Sequence, residues 1–331
     1  MNWRIADMKD TIVNAPDLKT IMQAAQRIAT YIHHTPVVTS KSINEIAGCE
    51  LFFKCENLQK VGAFKMRGAT NAVLSLTDEQ RNKGVATHSS GNHAQALALA
   101  AKLTGTKAYI VMPENAPKVK VEAVKGYGAE ITFCEPTLQA RETTLEAVVE
   151  KTGASFIHPY NDMRIIAGQA TAALELHEEI ADLDVLVAPV GGGGLLSGSA
   201  LSTHYLKPAC KVLAAEPEGA NDAWQSLQKG GIVPSSQPKT IADGLLTSLG
   251  SLTFPIIQKY VEDILTVDDG TITCAMQLIW ERMKLVVEPS GAVPLAVILN
   301  HPQKFQKKKV GVIISGGNVD LSWFFEGILI R

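Results

Sequence analysis

Four consecutive glycines, Gly191, Gly192, Gly193 and Gly194, stand between an apolar run over 184–190 and a helix-like run over 195–205. With no side chains there, backbone N–H groups can converge on one ligand at a strand-to-helix turn. N–H groups at a helix start suit a phosphate. A flexible turn has the same composition, but such turns rarely sit between a buried strand and a helix. The spacing is not a dinucleotide fingerprint, because Leu196 occupies the place of the third glycine, and no Gly-Lys-Ser/Thr follows as in a P-loop. The chain is thus constrained to a βα unit that can cradle a phosphate without a nucleotide signature.

The rest of the chain repeats that alternation. Short apolar runs over 51–54, 84–89, 108–112, 130–134, 155–158, 211–215 and 309–314 read as strands. Helical spacing marks 17–31, 69–76, 95–103, 118–127, 138–151, 166–180, 272–283 and 291–299. The strands are apolar throughout, as when helices cover both sheet faces. The pattern predicts an α/β fold with mostly parallel sheets. No linker separates consecutive domains, so the lobes are expected to be interleaved. Ligand groups belong at the carboxyl ends of such strands. Three turns rich in Gly and Ser fall there: Ser89-Ser90-Gly91-Asn92-His93, the turn at 191–194, and Ser315-Gly-Gly-Asn318.

The 331 residues are 46% hydrophobic and 19% charged, with a net charge of -2, which gives no hint of nucleic acid or an anionic membrane as partner. No apolar run is long enough for a membrane span, and no export signal core precedes the first helix. Five scattered cysteines without a Cys-x-x-Cys pair read as reduced, mostly buried thiols, so the expected setting is cytoplasmic. The adjacent His33 and His34 point apart and have no third ligand nearby.

Lys65 lies among small and apolar residues, Gly62, Ala63 and Phe64, rather than on a charged helix face. A lysine in such surroundings loses its proton more easily and becomes a nucleophilic amine. Alone this is weak, since most lysines are solvated surface charges. Joined to a phosphate cradle without a nucleotide signature, it suggests pyridoxal 5'-phosphate, which needs an amine for its aldehyde and a cradle for its phosphate.

Four motifs, Phe64-Lys65-Met-Arg-Gly68-Ala69, Ser89 to His93, Gly191 to Gly194 and Ser315-Gly-Gly-Asn-Val-Asp320, resemble those of the fold type II pyridoxal phosphate enzymes. The resemblance is closest to the serine racemase and serine/threonine ammonia-lyase (dehydratase) branch and spans nearly the whole chain. It implies two interleaved α/β lobes: a large cofactor-binding domain from 1–82 plus 161–331, and a small mobile domain over 83–160. It implies that Lys65 holds the cofactor and then removes the Cα proton, that Phe64 packs on the pyridine ring, and that Asn92 bonds the ring hydroxyl. The glycines with the Leu195 N–H would hold the phosphate, and Ser315 would face the ring nitrogen. Ser89, Ser90, Gly91, Asn92 and His93 would hold the substrate carboxylate, with Arg141 and Thr247 as further substrate contacts.

Ser315 is neutral where an Asp would keep the ring nitrogen protonated. A weaker electron sink favours prompt loss of a β-substituent over transamination. The implied activity is β-elimination of water from L-serine or L-threonine, giving a 2-oxo acid and ammonia. Ser90 occupies the position that delivers a proton from the opposite face in the racemases, or else it only binds the carboxylate. Serine racemisation, aspartate racemisation and 3-hydroxyaspartate dehydration stay open, as does β-replacement. So does a non-catalytic phosphometabolite-binding role.

Glu216, Ala220 and Asp222 suit a hard divalent cation, two carboxylates and a carbonyl completed by water, although a solvated acidic loop reads the same way. The resemblance implies magnesium, calcium or manganese there, a homodimer, and a possible nucleotide effector. Tyr160 departs from the Asn of some racemases. The last motif lies close to Arg331, so no C-terminal regulatory domain is expected.

Overall fold

The computed structural model describes residues 12, 14–116 and 118–321. Ten strands run in chain order through the described residues: β1 (Val37–Val38), β2 (Glu50–Cys55), β3 (Val85–His88), β4 (Ala108–Pro113), β5 (Glu130–Cys134), β6 (Ser155–Phe156), β7 (Val185–Pro189), β8 (Lys211–Pro217), β9 (Asp263–Val267) and β10 (Lys309–Ile314). One sheet has the order β1-β2-β10-β7-β8-β9 and the other β5-β4-β3-β6. Only the β1–β2 pairing is antiparallel. The fold is the expected α/β architecture with mostly parallel sheets, and the two sheets are interleaved along the chain. The chain leaves the larger sheet after β2, builds the smaller one, and returns through the helix Met163–Glu179.

The last strand in sequence, β10, enters the middle of the large sheet. Val312 pairs with Phe53 on one side and Val187 on the other. That insertion brings the carboxyl ends of β2, β10 and β7 side by side. The segments that leave them, toward Lys65, through Ser315 and through the glycine turn, therefore meet at one edge. Both faces of this sheet are covered. The helices Lys41–Ala47, Asp269–Leu278 and Pro289–Asn300 pack on one face around Phe53, Val187, Leu295 and Val312. The helix Gly194–Leu206 packs on the other, with Thr253–Tyr260, around Leu186, Leu196, Val212 and Ile257.

Several elements differ from expectation. The helix carrying Lys65 spans Lys65–Leu74, so Lys65 is its first residue rather than part of a preceding turn. The cause is tertiary: Phe64 N–H donates to Ser315 O at 3.0 Å and Ala63 bridges to Gly316, which fixes the entry of the helix. The helix Asn92–Leu103 likewise starts three residues early. Strand β6 stops at Phe156 because His158 turns the chain, its Nδ1 accepting from Tyr160 N at 3.3 Å and Asn161 N at 2.9 Å. Strand β9 and the helices Lys41–Ala47, Asp222–Lys229 and Thr253–Tyr260 were not expected. β9 is a short edge strand, and Thr253–Tyr260 carries an internal Pro255 that masks its helical pattern.

Candidate active site

Lys65 is half-buried, and its Nζ donates to the Pro159 carbonyl at 2.9 Å. The amine lies 5.1 Å from the centroid of the Phe64 ring. Burial pushes its pKa down to about 8, against the opposing pull of the Glu288 carboxylate. Its place at a helix N-terminus acts in the same direction, because the positive end of the helix disfavours a further cation. An amine with that pKa is available as a nucleophile near neutral pH.

Gly193 has φ +87 and closes the turn into the helix Gly194–Leu206. The first N–H groups of any helix lack intrahelical partners, which is what a phosphate needs. Gly192 accepts from the Thr253 hydroxyl at 2.9 Å through its carbonyl. A Cβ on Gly192 would stand 2.3 Å from the Tyr160 ring, and one on Gly191 would stand 2.9 Å from Leu245 Cα. The absence of side chains is thus required by the protein as well as by a ligand. Leu195 is buried behind the turn.

The Ser89–His93 turn follows β3. Ser89 N–H donates to Val111 O at 3.1 Å, and Gly91 N–H donates to Ser89 Oγ at 3.3 Å. A Cβ on Gly91 would meet nothing within 4 Å, so open space adjoins the turn. Ser90 is half-buried beside it. His93 is buried and its pKa is held well below the usual value, by burial first and then by the Lys65 charge. Its Nε2 lies 3.2 Å from Ile157 O and so carries the proton. Ser315 is buried, with its carbonyl taken by Phe64 N–H.

Asn92 stands at the start of its helix with both amide atoms engaged. Nδ2 donates to Glu288 Oε1 and Oε2 at 3.0 and 3.1 Å, and Oδ1 accepts from Asn318 Nδ2 at 2.9 Å. Asn318 N–H also donates to Glu288 at 3.2 Å. Burial pushes the Glu288 carboxyl up to about 7. Glu288 thereby ties the Ser89–His93 turn to the Ser315–Asn318 turn, and sequence reasoning missed it. The available signal was a charged residue closing the apolar run 285–287, just before the helix-starting Pro289.

Tyr160, which departs from the sequence pattern, packs directly on Gly192 and Gly194, and burial pushes its hydroxyl pKa up while the nearby Thr247 opposes the rise. Thr247 is otherwise exposed. Arg141 lies on the helix Leu138–Thr152 near His88, whose pKa burial lowers; the Glu142 carboxylate opposes that shift and the Arg141 charge adds to it. Its Nε is buried with no hydrogen-bond partner.

A model of the pyridoxal phosphate-dependent enzyme family matches residues 28–316. The chain belongs to that family. It is 54% identical over 309 residues to a serine racemase of Dictyostelium discoideum, covering 92% of this chain and 95% of that one. It is 52% identical over 306 residues to a beta-hydroxyaspartate dehydratase of Paracoccus denitrificans, covering 92% and 97%. The solved structure of maize serine racemase superposes with a TM-score of 0.94 at 48% identity, covering 96% of this chain and 98% of that one. The fold is therefore that of the fold type II enzymes. A half-buried amine of lowered pKa, at the same sheet edge as a glycine turn that opens a helix, fits the family's cofactor.

The residues chosen for a divalent cation lie at the end of β8. Glu216 and Asp222 are buried. Glu216 accepts from Ala223 N and Trp224 N, each at 2.8 Å, yet burial pushes its pKa up to about 8, with Asp222 adding to the rise. Burial raises Asp222 to about 6. Neither Asp222 oxygen has a hydrogen-bond partner; the Ser235 hydroxyl leans toward the carboxylate without meeting that geometry. A buried carboxylate with two unpartnered oxygens, Asp222, beside a second buried carboxylate, Glu216, fits a hard cation. Ala220 is buried in the short turn between them. Among the described residues no three His, Cys, Asp or Glu side chains converge as a ligand set, so backbone and water would have to complete such a site.

Proposed function

We propose that this enzyme eliminates water from L-serine, L-threonine or a related 3-hydroxy amino acid, giving a 2-oxo acid and ammonia, and that it also racemises serine. The observation that carries the reading is the Lys65 amine, lowered to about 8, bonded to the carbonyl of Pro159, whose neighbour Tyr160 packs on the glycine turn, and close enough to His93 to depress the imidazole pKa. Relatives above 50% identity carry the names of both a racemase and a hydroxy amino acid dehydratase, which supports a shared first step. Pyridoxal phosphate, when bound, supplies the electron sink for the bond broken at Cα. Lys65 holds the cofactor and then moves the Cα proton at Nζ, with the Pro159 carbonyl as its resting partner. The Ser89–His93 turn orients the substrate carboxylate, and Arg141 and Thr247 face its side chain. The β-hydroxyl leaves as water, and hydrolysis of the released enamine gives the 2-oxo acid and ammonia. Release of both from L-serine with no thiol added tests the reading against β-replacement.

Ser90 is assigned the proton on the face opposite Lys65. Ser90→Ala is then expected to lower serine racemisation about a hundredfold while elimination of L-serine falls less than tenfold. Chiral analysis of the recovered serine, run with an ammonia assay, separates the two. Equal losses would reduce Ser90 to a carboxylate contact.

Glu216, Asp222 and the Ala220 carbonyl are assigned a structural magnesium, calcium or manganese ion. Chelation is expected to lower Tm by several degrees, and added magnesium to restore it, because binding to the folded state alone stabilises it. A Tm unmoved by chelator would remove the assignment. The region 83–160, which contains the four-stranded sheet, is assigned as the smaller domain that moves against the remainder. A cytoplasmic homodimer with nucleotide control completes the proposal. Among the described residues no helix is long and apolar enough to cross a membrane.

A further inference from the structure

Arg67, two residues after Lys65, heads the fully buried side chains by volume. A buried guanidinium is costly unless its N–H groups are paired in good geometry. Here two carboxylates pair it. Nε and Nη2 fork onto Glu56 at 2.7 and 2.8 Å, while Nη1 and Nη2 fork onto Glu175, each at 2.7 Å. Nη1 also donates to Thr171 Oγ1 at 3.1 Å. Lys54, likewise fully buried, adds a second cation 2.8 Å from Glu175 and bonds Thr35 O at 2.6 Å. Two buried cations thus face two buried carboxylates, with Glu179 at the exposed rim 3.2 Å from Lys54.

Its members come from separate elements. Glu56 follows β2, and Thr171 and Glu175 lie on the helix Met163–Glu179. That helix also meets the helix of Lys65 backbone to backbone: a Cβ on Gly168 would stand 2.6 Å from Gly68 Cα, and Gly68 N–H donates to Gln169 Oε1 at 3.2 Å. Residues two apart on a helix point about 200° apart. The side chain that pins the back of this first turn therefore leaves Lys65 aimed the other way, toward Pro159 O. An arginine is needed for this, because a lysine offers a point charge and cannot engage two carboxylates as planar forks.

We infer that Arg67 is a positioning residue for Lys65: its two carboxylate forks lock the first turn of the Lys65 helix to the large sheet and to the helix Met163–Glu179, fixing where the amine lies and how little water reaches it. The inference rests on the family's cofactor chemistry and not on which amino acid is the substrate.

The test uses the full chain, stripped of cofactor and reconstituted with pyridoxal phosphate across a pH series. Attachment is read by absorbance and by borohydride trapping with peptide mass at Lys65. The charged or titratable groups around the amine, Glu288, His93 and His158, are left unchanged. Arg67→Lys is expected to lower Tm by about 10 °C. It is also expected to raise the pH midpoint of attachment by about one unit, as water reaches the amine. Phe305→Leu, a core change in the cluster on the far face of the large sheet, is the control: it lowers Tm and leaves the midpoint in place. An Arg67→Lys midpoint equal to that of the wild type would overturn the inference. Should that variant not fold, Glu175→Gln carries the same decision, since it spares the Glu56 fork. A smaller upward shift supports the role and an unmoved midpoint rejects it.

Discussion

Lys65→Ala is expected to lower 2-oxo acid production from L-serine by about four orders of magnitude, because one residue both holds the cofactor and moves the Cα proton. Stability should change little. The side chain is half-buried, its one hydrogen bond is to the Pro159 carbonyl, and its burial already disfavours its charge. Protein with an unchanged Tm that is colourless and yields no borohydride-trapped peptide would match this account. A variant that kept even a tenth of the activity would place the base elsewhere. His93 and His158 are the neighbours that would then need scrutiny, since both feel the Lys65 charge.

The second large effect is expected at Gly192. Its missing side chain leaves room for the Tyr160 ring, and an added methyl would stand 2.3 Å from that ring. The clash is with the body of an aromatic ring, Cδ1, Cγ and Cε1 at 2.3, 2.4 and 2.5 Å, and not with the end of a flexible chain, so it does not relax cheaply. Gly192→Ala should cost about 1–3 kcal/mol of stability, the usual range for overpacking. It should also weaken pyridoxal phosphate binding about ten- to a hundredfold by displacing the cradle, at 1.4 kcal/mol per decade. Equilibrium dialysis against the cofactor reads the second effect apart from the first. Gly192→Ala paired with Tyr160→Ala should recover cofactor affinity if the ring is the obstacle.

How much of this was legible in the sequence follows from the range of each interaction. The glycine turn and its flanking strand and helix are local, so composition and periodicity were enough to place them. Lys65 stands out in the sequence by its small and apolar neighbours, and the Ser89–His93 and Ser315–Asn318 turns are legible because each ends an apolar strand with its own motif. The parallel sheets followed from the apolar strands. The pieces that escaped are those fixed by contacts distant in sequence. Glu288 is 196 residues from Asn92, and no local pattern announces that its carboxylate will hold the Asn92 amide. Tyr160 reached the glycine cradle only through the turn that His158 imposes after β6. The start of the Lys65 helix was misplaced because a bridge to Gly316 fixes it. The Glu216 and Asp222 carboxylates were visible as acidic residues near a strand end, but their burial and the unpaired oxygens of Asp222 were not.

The fate of the substrate decides the account most directly. L-serine, D-serine, L-threonine, 3-hydroxyaspartate and aspartate should be incubated in parallel with the cofactor-loaded enzyme, without added thiol. Each reaction is then scored for 2-oxo acid, ammonia and the configuration of the remaining amino acid. Equal amounts of 2-oxo acid and ammonia from at least one 3-hydroxy amino acid, none from aspartate, and slow scrambling of L-serine are the predicted results. Product that forms only when a thiol is supplied, or no product from any of the five, would contradict a lyase built on Lys65.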